Sequence, residues 1–176
     1  MRHRFHLLSV AALTISVPAH ATVYLTVEQA QALLFPGATF TADARTLTKD
    51  QVRAIEKASD VNVRDTTLQL WHASTGGWFI VDEVVGKHDF IPFALALNED
   101  GSVKGIEILE YRESYGDQIR DPAWRQQFVG KQHGARLKLA ADIQNISGAT
   151  LSCRHMTDGV KRLLATYALV IAPAAR

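Results

Sequence analysis

The stretch Ile146-Ser147-Gly148-Ala149-Thr150-Leu151-Ser152 places a hydroxyl on a small-residue turn just before an amphipathic run. The first amides of a helix have no partner inside it, and the helix dipole is positive there, so phosphate groups are held well at such places. Gly148 and Ala149 are small and leave the Thr150 hydroxyl on a turn where helix amides face an anion. A Thr in this position also fills the ordinary role of a helix N-cap. The same three letters occur at Gly37-Ala38-Thr39, without the preceding serine and without an apolar helical face after them. The tripeptide alone therefore means little, and the longer context decides.

Other routes to chemistry are thin. The chain has no G-x-S-x-G, no G-x-x-x-x-G-K-[ST], no G-x-G-x-x-G and no H-E-x-x-H. His72, His88, His133 and His155 are nowhere spaced at i, i+4, which gives no metal-ligand pattern and no expected metal. His88-Asp89 has the composition of a base with its orienting carboxylate, but such a pair is more often a surface turn. Cys153 is the only cysteine, so no intramolecular disulfide, haem-attachment site or thiolate zinc cluster can form. No catalytic residue is assigned.

These residues need a scaffold, and its elements are legible. Thr26-x-x-Gln29 and Thr48-x-x-Gln51 are capping boxes, each followed by apolar residues at helical spacing, and Pro36-Gly37 stops the first helix. A strand-rich middle follows. Leu68 to Ala73, Trp78 to Val85, Phe90 to Leu97 and Val103 to Leu109 are β-branched or aromatic runs. Gly76-Gly77 and Asn98-Glu99-Asp100-Gly101 are turn sequences, so the pattern predicts an antiparallel meander. Pro92 puts its strand at an edge or a bulge. Asp121-Pro122 starts a short helix that Gly130 closes, and Arg136 to Ala140 is a candidate further strand. The last helix is expected from about Ser152 to Tyr167. Met156, Val160, Leu163, Leu164 and Tyr167 lie on one face, with Arg154, Asp158, Lys161 and Arg162 elsewhere. Sheet in the middle and helices flanking it predict an α+β fold in a single domain, residues 22–176.

The N-terminal residues read as an export signal. Arg2 and Arg4 precede an apolar core from Leu7 to Val17, and Ala19-His20-Ala21 fits a small-residue cleavage site, so residues 1–21 are expected to be removed. The apolar run is shorter than the roughly 20 residues a bilayer span needs. The chain carries 19 basic and 18 acidic residues; without Arg2 and Arg4 the balance is 17 against 18. That near-neutrality argues against a nucleic-acid binder, which asks for a basic stripe. The expected location is outside the cytoplasm, in the periplasm, with a membrane partner as one means of association.

Four stretches extend the context of Thr150: Val85-Gly86-Lys87-His88; Gly105 to Gly116, containing Glu110-Tyr111-Arg112-Glu113-Ser114-Tyr115; Trp124 to Lys131; and Ile146 to Ser152. In order and spacing they resemble the FMN-binding domain found in flavin-carrying components of sodium-pumping NADH:quinone reductase and of the Rnf electron-transfer complex. The resemblance is strongest over residues 85–167. It implies that an FAD-dependent flavin transferase moves FMN from FAD onto the threonine of Ser-Gly-Ala-Thr, here Thr150, through a phosphoester. Ser147, Gly148, Ala149, Leu151 and Ser152 then surround the attachment point. In the family an aspartate usually stands six residues before the acceptor. This chain has Gln144 there and Asp142 two residues further upstream.

Tyr111, Tyr115 and Trp124 are candidates for packing on the flavin ring, with ordinary core packing as the alternative, and Glu110 and Glu113 are candidates for hydrogen bonds to it. The expectation is an exported FMN-dependent electron carrier serving a membrane or soluble redox partner. The alternative is an accessory flavin-binding or assembly module without sustained electron flow. A free-standing flavin reductase would need a dinucleotide motif that the chain lacks.

Overall fold

The computed structural model describes residues 22–113 and 115–172. The proposed leader, residues 1–21, lies outside them. Both capping boxes form as their spacing predicts. The Thr26 hydroxyl accepts from Gln29 N while the Gln29 side chain accepts from Thr26 N, opening α1 (Val27–Leu34). Thr48 and Gln51 do the same for α2 (Lys49–Ser59), which ends on Asp60 in a left-handed conformation, φ 57°.

The strands are β1 (Thr22–Val23), β2 (Phe40–Ala42), β3 (Arg45–Thr46), β4 (Thr67–Ala73), β5 (Trp78–Val85), β6 (Phe90–Leu97), β7 (Val103–Ile108) and β8 (Glu110–Tyr111). The expected meander is present: β4, β5, β6 and β7 are consecutive antiparallel neighbours, with β2 and β3 both pairing β4 and β1 pairing β8. Side chains on a strand alternate between faces. Ile80, Phe93 and Leu95 therefore pack with Met156, Val160 and Leu163 of α4 (Thr150–Thr166). Phe79, Ala94 and Ala96 turn the other way and pack with Ala30 and Phe35 around α1. Two alanines on that face of β6 leave room for the shorter helix. The fold is a single α+β domain with its sheet covered on both sides. Among the described residues, no helix is long and apolar enough to cross a membrane.

Five local expectations change. β6 is an interior strand rather than an edge strand, and the irregularity in its pairing is at Ala96/Leu97, not at Pro92. Pro92 is tolerated because its missing N–H falls on the β7 side, past the last paired residues Phe93 and Ile108, where its carbonyl accepts from Leu109 N (2.9 Å). Residues 136–140 form no strand. Leu137 and Ala140 have φ of 43° and 64°, and the segment instead turns on itself, with one isolated bridge between Leu139 and Ile143. The helix after Asp121 is only α3 (Pro122–Gln126), and turns carry the chain on to Gly130.

The last helix starts at Thr150, two residues before Ser152, and widens into a π-helical stretch at Tyr167–Ile171. It is also buried on more sides than a single apolar stripe implies. Arg162, expected among the outward-facing positions, is 6% exposed and sets Nη2 2.8 Å from Asp82 Oδ2 on β5. Burial pushes the Asp82 carboxyl up from its ordinary value, and Arg162 opposes that push.

Candidate functional site

The start of α4 is built by a turn. Ala149 N donates to Ile146 O (3.0 Å), and Gly148 sits at φ 85° in the third position of that turn, a conformation disfavoured for residues with a Cβ. Ala149 is then the N-cap residue and Thr150 the first residue of the helix, so Thr150 is not the cap. Among the described residues, no side chain caps this helix of 17 residues, in contrast to α1 and α2. Its first-turn amides have no intrahelical acceptors. They open beside a pocket of about 280 Å³ lined by residues 148–152, by Lys87 and His88 from the loop after β5, and by Glu113 and Tyr115. Thr150, Leu151 and Tyr115 are exposed there.

The pocket's far wall is held by a carboxylate. Glu113 Oε1 accepts from His88 N (2.5 Å) and Asp89 N (3.0 Å), and Gly86 N donates to Asp89 O across the same loop (2.7 Å). His155 Nδ1 donates to Val85 O, tying α4 to the strand end that feeds the loop. Burial works to raise the Glu113 carboxyl, but the backbone N–H groups of Asp89, His88 and Lys87 outweigh it and hold the group below its ordinary value. A depressed folded-state pKa stabilises where the carboxylate is ionised in both states. The clamp is accordingly expected to be fully present above the unfolded-state pKa and lost as pH falls through the folded one. The amide proton shifts of His88 and Asp89 should follow that single titration. In Glu113→Gln the contribution of the clamp to those shifts should vanish.

Behind the pocket a buried hydroxyl pair joins the helix to the sheet. The Tyr111 hydroxyl donates to Tyr115 O (2.6 Å) and lies 3.0 Å from Ser152 Oγ. A phenol has one proton to give, so Ser152 must be the donor to Tyr111. Burial raises the Tyr111 pKa further, keeping it protonated. Tyr111→Phe strands the buried Ser152 hydroxyl and removes the bond to Tyr115 O, and is expected to cost about 2 kcal/mol in denaturant unfolding. Ser152→Ala leaves the bond to Tyr115 intact and should cost about half as much.

The aromatic candidates separate. Tyr115 is 81% exposed at the pocket. Tyr111 is buried and reaches the site through its hydroxyl. Trp124 is 4% exposed, packs edge-on against Phe128 and donates Nε1–H to Gln144 O (2.7 Å), taking no part in lining the pocket. Glu110 pairs with Arg112 (2.6 Å). Ser147 is exposed on the turn. Cys153 is fully buried on the inner side of α4, and burial pushes its thiol up. Asp142 is engaged by Arg136 (2.5 Å) and Lys138 N (2.9 Å).

Two residues absent from the sequence-derived site belong to it. Asn145 Nδ2 donates to Thr150 Oγ1 (3.1 Å). Gly116, at φ 98°, lies so close to the start of α4 that a Cβ would stand 2.5 Å from the Tyr111 hydroxyl and 2.8 Å from Ser152 Oγ. A larger cleft of about 530 Å³ opens between the segment after α2, the end of β5 and α4, but it includes none of residues 147–152. Arg64, Glu83, His155, Asp158 and Arg162 line it.

The model of the family described as the FMN-binding domain matches residues 86–165. Among solved structures, the chain is similar to Shewanella oneidensis NqrC, at 17% identity and a TM-score of 0.49, over 72% of this chain and 66% of that one. No curated protein matches the sequence significantly. The segment that is similar to an FMN-binding domain, from the loop after β5 to the last turn of α4, supplies every residue lining the pocket.

Proposed function

We propose that this chain is an exported electron-transfer protein whose FMN is joined by a phosphoester to Thr150. One observation carries the reading. Within the matched segment, Thr150 presents an exposed hydroxyl at the uncapped start of a long helix, facing a pocket that the same segment builds. The residues present fit a flavin phosphate. The amides of the first turn of α4 point their dipole at it, and Lys87 on the opposite wall adds a positive charge. FMN, when bound, takes up and returns electrons singly or in pairs; the protein sets its place and surroundings. Glu113 fixes the loop that carries Lys87 and His88. Tyr115 and Leu151 offer exposed apolar surface beside the attachment point.

The modifying partner in this reading is an FAD-dependent flavin transferase, and the working partner is a membrane or soluble redox protein outside the cytoplasm. The test is coexpression of the full chain with such a transferase. Expected are covalent flavin fluorescence on a denaturing gel, recovery of the labelled protein in the periplasmic fraction, and a visible spectrum that bleaches and returns over repeated reduction and reoxidation. A chain that stays colourless under all these conditions would overturn the electron-transfer reading and leave an accessory module.

A further inference from the structure

We infer that Asn145 is a positioning residue for the modification of Thr150, an inference that rests on the reading above. The hydrogen bond from Asn145 Nδ2 to Thr150 Oγ1 (3.1 Å) is a contact between two exposed side chains. What makes it directional is the backbone on either side. Ile143 is fully buried. Gln144 N donates to Gln127 Oε1 (2.7 Å), and Gln144 O accepts from the buried Trp124 ring (2.7 Å). On the other side the turn closes through Ala149 N and Ile146 O (3.0 Å). Asn145 is presented from a fixed backbone, and its amide meets the acceptor hydroxyl.

A threonine in a helix divides between rotamers, and donation from Asn145 selects one of them for Thr150. It occupies one lone pair of Oγ1 and leaves the other, with the hydroxyl proton, to the incoming groups. In the transfer, Oγ1 attacks the FMN-side phosphorus of FAD. The Oγ1–phosphorus bond forms, the phosphoanhydride bond breaks with its electron pair leaving on AMP, and the hydroxyl proton passes to a base of the transferase. No electrons change hands overall. Asn145 moves no proton; it holds the nucleophilic oxygen. It is also neutral and a donor, so it tolerates the phosphate charge that arrives within reach of it. A carboxylate of the same shape would accept only, and would repel that charge.

The experiment uses protein made without a transferase, then incubated with purified flavin transferase and FAD, following covalent fluorescence with time. For Asn145→Ala, kcat for labelling should fall about tenfold, the equivalent of one ordinary hydrogen bond, with KM for the protein within about twofold. Asn145→Asp should fall about 100-fold, because repulsion adds to the lost donor. Melting temperatures should match the parent, since both groups are exposed. Unchanged kcat in Asn145→Ala, equal losses in the two variants, or a loss confined to KM would each overturn the inference while leaving Thr150 as the acceptor. An unlabelled parent chain would instead remove the underlying reading, and this inference with it.

Discussion

Thr150→Ala is expected to abolish covalent flavin completely while leaving the fold intact. Alanine is well suited to the first turn of a helix, and the Thr150 side chain is exposed, so the stability change should be within about 0.5 kcal/mol. The chemistry, by contrast, has no substitute oxygen. Ser147 lies within the turn before the helix and does not line the pocket. The Ser152 hydroxyl is buried, with its proton committed to Tyr111. Thr39 belongs to the second Gly-Ala-Thr, but it leads into strand β2 rather than a helix, and its own N–H donates to Ser74. Coexpression with the transferase, denaturing electrophoresis and fluorescence imaging should therefore give a dark band for Thr150→Ala and bright bands for Ser147→Ala and Ser152→Ala. Thr150→Ser should still label, more slowly, because the unbranched side chain samples more rotamers. Fluorescence retained by Thr150→Ala on a denaturing gel would remove this residue from its role. A yellow native protein with a dark denatured band would mean that FMN is held without a bond.

Much of the scaffold was legible because local chemistry dictates it. The two Thr-x-x-Gln boxes, Asp121-Pro122 and the apolar alternation of β4–β7 each act over a few residues, and each formed where the spacing put it. What sequence spacing misread depends on distant partners. Arg162 looks like a solvent-facing helix residue until Asp82, on another element, is placed beside it. Residues 136–140 alternate like a strand, yet Leu137 is drawn into the core with a positive φ, and Asp142 closes the turn through Arg136 and Lys138. At the site, residues 148–152 and Tyr115, singled out in the sequence, come together around one pocket. Asn145 was not singled out, since a lone polar residue on a loop carries no signature until its partner is known. Trp124 illustrates the reverse: a large aromatic inside a family-like stretch, but one whose ring the fold uses for packing and for holding Gln144 in place.

Gly116→Ala should be the most damaging single-methyl change near the site. Gly116 combines two constraints that are usually separate. Its φ of 98° is disfavoured for a residue with a Cβ, which by itself costs about 1–2 kcal/mol. The methyl would also stand 2.5 Å from the Tyr111 hydroxyl and 2.8 Å from Ser152 Oγ, inside the hydrogen-bonded pair that joins the sheet to the start of α4. Neither group can withdraw cheaply. The Tyr111 hydroxyl is held to Tyr115 O, and Ser152 is fixed by its helix. Adding the overpacking cost to the backbone cost gives about 4 kcal/mol of destabilisation, read from denaturant unfolding. Gly134→Ala separates the two contributions. Its φ is 89°, but nothing lies within 4 Å of the added methyl, so it should lose only the backbone share, about 1.5 kcal/mol. The methyl at position 116 can be accommodated only by moving the first turn of α4 away from residues 111–116, the movement that carries Thr150 out of line with Glu113 and Lys87. Labelling by the transferase should therefore fall in Gly116→Ala even at temperatures where the protein is folded, and stay at the parent rate in Gly134→Ala. Equal stability losses in the two variants would show that the close approach at Gly116 does not restrain the helix start.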